Sequence, residues 1–424
     1  MPPVAPVSAA ESAANSTAEV VSAHPVFEHA GSGFPPLLMA SITAWLVFVV
    51  AFALPERAVA PAPSDETAPP LASWPGRLTA LQWAGRLVAV VVLLVTIAAA
   101  RLGSESQLEN IAPALVVGTA WPLLVLVSVV VGPVWRWLDP FDGLARLLGR
   151  GPKSGPESAA APHSVWPAAL LLLPWVWYLS AAADPLAARS VGIVLAAYTA
   201  VTLAGCVALG RERFMSRAEP LAILLSWLAL LPRGRLARWE PPPGAEALLG
   251  VLIGGVGFRA IRISQQWTGI EPATGGWAWA YALLALLGSC AVVTVLLMLA
   301  RRLAVRVDGA AGIARAVVPA AAAVVLAVAL GRNRLTSSVQ LLPGLAGDPF
   351  GFGWDLLGPS VDGLNPAPLG VTGLLAAQVA VLVVGHLVGA FVVAWRLGRR
   401  ARMPATVVLA LLMAVTTVAV PTHS

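Results

Sequence analysis

Three side chains have the types and settings that acid–base or ligand chemistry needs: His386, Asp348 and Asp355. Asp348 and Asp355 sit in the stretch GDPFGFGWD, residues 347–355, with Phe350, Phe352, Trp354 and three glycines that permit tight turns. There the two carboxylates could exchange protons or bind a cation. They could equally cap turns of an ordered lid whose aromatic rings rest at a membrane interface. His386 lies inside a long apolar run and is the only histidine in any such run. An ionisable group in that setting points to function, although a neutral imidazole can also bond across a helix interface, which Gly385 and Gly389 at GxxxG spacing would allow. At roughly 1.5 Å per residue, His386 is about 22 Å below the outer end of its helix, so it meets Asp348 only if the loop dips deeply.

A second group could bind an anionic substrate. Arg259 and Arg262 share one helical face, and with Arg332 and Arg334 they could form a cationic mouth. Simple snorkelling to the interface stays open for them. Gln378, on the same apolar run as His386, completes the set of candidate substrate-binding residues. No HExxH, CxxC, GxSxG or phosphate-cradling glycine loop occurs. No metal site and no cofactor is therefore assigned, and His24 and His29 alone are weak grounds for one. Cys206 and Cys290 both lie in apolar runs and read as small hydrophobic residues.

The elements that must position these residues are membrane helices. Of 424 residues, 58% are apolar and only 11% charged, with a mean hydropathy of +0.81, whereas soluble domains are typically about 25% charged. The surplus apolar surface must face lipid. A hydrocarbon core of roughly 30 Å needs about 20 apolar helical residues. That ruler gives ten spans: 36–54, 84–100, 111–131, 166–182, 190–209, 245–261, 277–300, 313–330, 371–395 and 405–420. The expected fold is an all-α, polytopic transmembrane bundle. The run 220–231 is too short and reads as interfacial or re-entrant.

Under this scheme six of the 27 basic residues, Arg101, Arg189, Arg259, Arg262, Arg332 and Arg334, fall on one side, and the other 21 fall on the opposite side. Cytoplasmic loops carry the Lys/Arg excess, so both termini are expected outside. Arginines in short clusters between apolar runs signal orientation and speak against nucleic-acid binding. The expected partners are the lipid bilayer and, as an open question, another membrane protein. Composition rich in Arg, Ala, Gly and Pro suggests a GC-rich bacterial genome, hence the bacterial plasma membrane.

Residues 1–34 read as a disordered external tail without Lys or Arg, and 35–424 as the helical domain beginning with an uncleaved first helix. Within that domain come a Pro-rich cytoplasmic linker at 55–83, an amphipathic cytoplasmic segment at 135–150 and a long external loop at 332–370. The amphipathic segment serves as a membrane-surface anchor or docks a partner.

Several stretches together resemble a bacterial, mainly actinobacterial, family of multi-pass membrane proteins labelled fenitrothion hydrolase-like. These are His29-Ala30-Gly31, LDPFDGLARL from Leu138, GRERFMSRAEPLAILLSWLALLP from Gly210, GDPFGFGWDLLG from Gly347 and AAQVAVLVVGH ending at His386. The resemblance implies a membrane-embedded hydrolase of organophosphate-type esters, with His386, Asp348 and Asp355 as contributors. It also implies two histidines three residues apart where this chain has Val325 and Val328. Two function classes stay open: a non-enzymatic membrane component, transporter or scaffold subunit, favoured by the missing motifs and the missing histidine pair, and the hydrolase.

Overall fold

A computed structural model describes residues 36–54, 78–148, 164–182, 184–232, 234–262, 265–270, 277–308, 313–331, 334–357, 365, 368–397 and 399–419. The expected tail at 1–34, most of the linker 55–83, the end of the 135–150 segment and Arg332 lie outside the described residues. The described chain is helical, with no strand. In order the helices are α1 Pro36–Ala53, α2 Ala80–Leu102, α3 Pro113–Val130, α4 Trp135–Leu138, α5 Pro140–Leu147, α6 Trp166–Ala181, α7 Ala188–Leu209 and α8 Arg211–Arg217. They continue as α9 Pro220–Leu228, α10 Ala245–Arg262, α11 Gln265–Ile270, α12 Ala278–Asp308, α13 Ile313–Leu330, α14 Arg334–Gly347, α15 Gly370–Arg396 and α16 Arg399–Ala419.

Each of the ten apolar runs falls on a helix. Six of these, α2, α3, α7, α12, α13 and α15, are long and apolar enough to cross a membrane. Three more apolar helices are shorter, at Leu38–Ala53, Trp166–Ala181 and Arg402–Thr417. The tenth, α10, carries Glu246, Arg259 and Arg262. The outer helices show large apolar side chains to their surroundings, such as Val88, Val91 and Leu94 on α2 and Leu284 and Val292 on α12. That is the surface a bilayer would cover.

At the centre stands α13. Its alanines and valines, from Ala314 to Ala327, are buried on nearly every side, and small residues let neighbouring backbones approach closely. Gly385 and Gly389 of α15 face it so tightly that a Cβ at either would run into Pro319, Ala323 or the Ala316 carbonyl. On α10, Gly250 and Gly254 press in the same way against Thr294 and Cys290 of α12. Polar side chains then tie helix ends together. Arg402 is fully buried and donates to the carbonyls of Leu397, Ala51, Leu54 and Ala394 at 2.9, 3.0, 2.9 and 2.6 Å. These carbonyls end α1 and α15, where the last turn has no partners within its own helix.

One arrangement occurs twice. The hairpin α2–α3 ends at Gly132, with φ 116°, and is followed by a short helix and then by α5, which opens with Asp139-Pro140. The hairpin α6–α7 ends at Gly210, with φ 87°, and is followed by a short helix and then by α9, which opens with Glu219-Pro220. The positive φ at each glycine lets the chain reverse without a Cβ penalty. Proline at the first helical position has no N–H to leave unpaired. The acid before it accepts the next two free N–H groups: Asp139 from Phe141 and Asp142 at 2.9 and 3.0 Å, Glu219 from Leu221 and Ala222 at 3.2 and 2.5 Å.

Candidate functional site

The two acid–proline elements meet inside the bundle. After Gly210, α8 runs back along α7: Phe214 packs on Gly205, and two turns further into the bundle the phenol of Tyr198 donates to the Glu219 carboxylate. Tyr198 is eleven residues from the C-terminal end of α7, about 16 Å along a helix of 22 residues. Glu219 therefore stands at the middle of a membrane-length helix, on a segment only nine residues long. The first element reaches the same place, since Phe141 stacks edge-on against Tyr198 with ring centroids 5.1 Å apart.

Around these acids lies a buried ion network. Asp142 on α5 is fully buried and serves as counter-ion to Arg86 of α2, to Arg211 of α8 at 2.5 Å and to Arg146 one turn along its own helix at 2.8 Å. Arg86 is likewise fully buried and also donates to the Arg136 carbonyl at 2.8 Å. Gly143 lets α5 close on α2, because a Cβ there would press on Val90 and Arg86. Arg211 holds Glu212 at 2.9 Å as well, and Glu212 is 43% exposed. Asp139 is fully buried, with one oxygen capping α5 and the other, Oδ2, without a hydrogen-bond partner. Burial pushes its carboxyl up to about 7, against the opposing pull of Arg86. Burial, reinforced by the charge of Asp139, pushes Glu219 up to about 8.

The candidates from the sequence are placed elsewhere and do not converge. Asp348 caps a turn, accepting from Phe352 and Gly353 at 3.0 and 2.6 Å. Slight desolvation pushes its carboxyl up, but backbone N–H groups of Phe352, Gly353, Trp354 and Gly351 outweigh this and hold it below the usual range. The loop docks through its backbone, with the Phe350 and Pro349 carbonyls accepting from Ser104 and Ile111 at 2.7 and 3.2 Å. Phe350, Phe352 and Trp354 form a triad with centroids 5.3 to 5.5 Å apart, and Phe352 and Trp354 are exposed. Asp355 is exposed.

His386 is fully buried on α15, with Nδ1 2.8 Å from the Leu382 carbonyl of its own helix and Nε2 without a partner. Gln378, also fully buried, donates to the Ala327 carbonyl of α13 at 2.9 Å. Arg262 donates to the Ser180 and Ala182 carbonyls at 3.2 and 3.0 Å and so closes the end of α6, while Arg259 is half-buried and Arg334 begins α14. Val325 walls a small apolar cavity together with Trp121, Val125, Leu224, Leu228 and Val318. Among the described residues, no three His, Cys, Asp or Glu side chains are grouped to hold a metal.

Sequence reasoning missed Arg86, Asp139, Asp142, Arg211, Glu219 and Tyr198 as a group. Their signal was present as an acid–proline pair opening an apolar run, the mark of a capped helix start, in both LDPFDGLARL and RAEPLAILL.

Fold and site together define an all-helical, multi-pass membrane protein with a buried acid and arginine cluster. No protein-family model matches the chain, and neither a curated protein nor a solved structure is recognisably similar to it.

Proposed function

We propose that the chain crosses a bacterial plasma membrane ten times with both termini outside, and that it works there as a non-enzymatic component of transporter type. The observation that carries this is the return of α8 and α9 into the bundle, which sets Glu219 against Tyr198 at mid-helix depth. Short, broken helices that place ionisable groups at the bilayer midplane are how many secondary transporters build their substrate and coupling sites. Non-helical backbone at such depth is tolerated only where protein or a cavity covers it, and α9 is buried on almost every residue. The 21-to-six division of basic residues supports the orientation.

The hydrolase implied by the family resemblance would need His386, Asp348 and Asp355 to act together, and no hydrogen bond or ion pair joins them among the described residues. Two measurements test the proposal. Single cysteines at either end of the chain should react with an impermeant thiol reagent from outside intact cells. Proteoliposomes should accumulate some member of a panel of labelled amino acids, sugars and organic acids under an imposed pH gradient. If no solute is accumulated and a second membrane protein co-purifies at fixed ratio, the scaffold class replaces the transporter.

A further inference from the structure

The charges around Asp139 do not balance if every group is ionised. From the elements packed about it come Arg86 on α2, Asp142 and Arg146 on α5, Tyr198 and Cys206 on α7, Arg211 and Glu212 on α8, and Glu219 at the start of α9. Three guanidinium groups face Asp142 and Glu212, which leaves one positive charge. One further carboxylate neutralises it, and a second would be an excess negative charge in a site with almost no water contact. Isolated buried charge is costly enough that such a group takes up a proton instead. The geometry offers a place for that proton, because Asp139 Oδ2 is fully buried and has no donor of its own.

From this balance and this unpartnered oxygen we propose that Asp139 and Glu219 form a proton-binding site holding one exchangeable proton between them. With the proton on Asp139, Glu219 is the carboxylate that accepts from Tyr198 and from the Leu221 and Ala222 N–H groups. With the proton on Glu219, Asp139 is the carboxylate nearer Arg86. In either form one proton is bound, one carboxylate remains and the network is neutral. Removal of the proton leaves two carboxylates that repel each other at the N-termini of two short helices. Each helix is joined to its hairpin through a glycine turn and one short helix, α4 or α8, so the repulsion bears on the placement of both. The site thereby links protonation to the position of α5 and α9. This deepens the transport reading by naming its coupling ion and rests on it for its purpose, whereas the binding itself can be tested in the protein at rest.

The test is infrared difference spectroscopy of the purified full-length protein in lipid nanodiscs, stepped from about pH 5 to about pH 9. The wild type should lose one protonated-carboxyl band with a midpoint near neutrality, equivalent to about one proton per chain. Asp139→Asn with Glu219→Gln should abolish the band, and Asp348→Asn, in the loop at 347–355, should leave it. Tyr198→Phe keeps both carboxyls and removes only a donor to the Glu219 carboxylate, so it should move the midpoint upward. A band that survives the double variant, a midpoint unmoved in Tyr198→Phe, or no titrating carboxyl in the wild type would each overturn the proposal. The band present without solute flux would sink the transport reading and leave the site standing; flux without the band would do the reverse.

Discussion

Asp348 in the loop at 347–355 and Asp139 in the buried cluster do the same local work and differ in everything around it. Each precedes a proline and accepts two backbone N–H groups a few residues ahead. Asp348 does so in contact with water, and the hydrogen bonds hold it as a carboxylate. Asp139 does so with no exposure, and burial overrides both its capping bonds and Arg86, so its carboxyl rises toward neutrality. A helix or turn cap is thus a structural device in water and becomes a titrating one in a low dielectric. The sequence carries six acid–proline pairs, at Asp139, Asp184, Glu219, Glu240, Glu271 and Asp348. Asp184 also accepts a backbone N–H, from Leu186 at 3.0 Å, and it is exposed, as is Glu240. Among the described pairs only Asp139 and Glu219 are buried.

The comparison breaks most severely at the ion network. Asp142→Ala removes the shared counter-ion of Arg86, Arg146 and Arg211, two of them almost wholly buried. Loss of one partner from a buried pair costs about 3 to 5 kcal/mol, and folded protein should largely disappear from the detergent-soluble fraction. A fourfold replacement of Arg86, Asp142, Arg146 and Arg211 by apolar residues of similar volume should recover much of the yield, because the paired charges then leave together. Recovery failing while single apolar swaps elsewhere are tolerated would mean that the network does more than balance charge.

Stability should also depend on pH in a direction opposite to that of salt-bridged carboxylates. Asp139 and Glu219 together hold one proton more tightly folded than unfolded, burial raising their carboxyls to about 7 and about 8. Between about pH 4 and those values the unfolded chain has lost a proton that the folded chain keeps. Stability is therefore full at acid pH, declines as pH rises through that window by a few kcal/mol, and levels off above about pH 8. Thermal unfolding in detergent followed from about pH 4.5 to about pH 9 reads this slope. The Asp139→Asn, Glu219→Gln double variant should flatten it, and Asp348→Asn should not.

Much of the helical scaffold was legible because apolar length is a strong signal: every apolar run of span length proved to be a helix, and the short run at 220–231 gave a nine-residue helix. The Gly385 and Gly389 spacing also announced its close contact with α13. The cluster was not legible because its members hide among other signals. Arg86 and Arg211 look like orientation charges when basic residues are counted by side, and nothing local to Arg86 says that it faces Asp142, 56 residues away. The 135–150 segment reads as amphipathic, but its carboxylates turn inward while Trp137, Leu138, Leu147 and Leu148 turn outward. Periodicity reports two faces and does not say which one meets protein. The prominence of the GDPFGFGWD loop came from its unusual composition, which the turn at Asp348, the two positive-φ glycines Gly351 and Gly353, and the docking against Ser104 and Ile111 account for.

Milder substitutions sharpen the contrast. Gly205→Ala puts a methyl into the ring of Phe214 and should push α8 away from α7, at a cost of about 1 to 3 kcal/mol, as overpacking generally does. If α8 is what carries Glu219 to Tyr198, the same variant should shift the pH slope of unfolding, and Phe214→Leu in combination should restore both. An unchanged slope would show that Glu219 is held by Tyr198 and its own capping bonds alone. The smallest effect belongs to Asp348→Ala. The lost acceptor is exposed, so Phe352 and Gly353 can bond to water, and the change should cost about 0.5 kcal/mol or less. Its consequence is local: hydrogen exchange should quicken at the Phe352 and Gly353 amides while the amides of α5 and α9 keep their protection. An Asp348→Ala variant that altered the titration of the buried cluster would mean that the two sites are coupled through α3, which begins two residues after Ile111, the partner of the Pro349 carbonyl, and lines the apolar cavity at Trp121 and Val125.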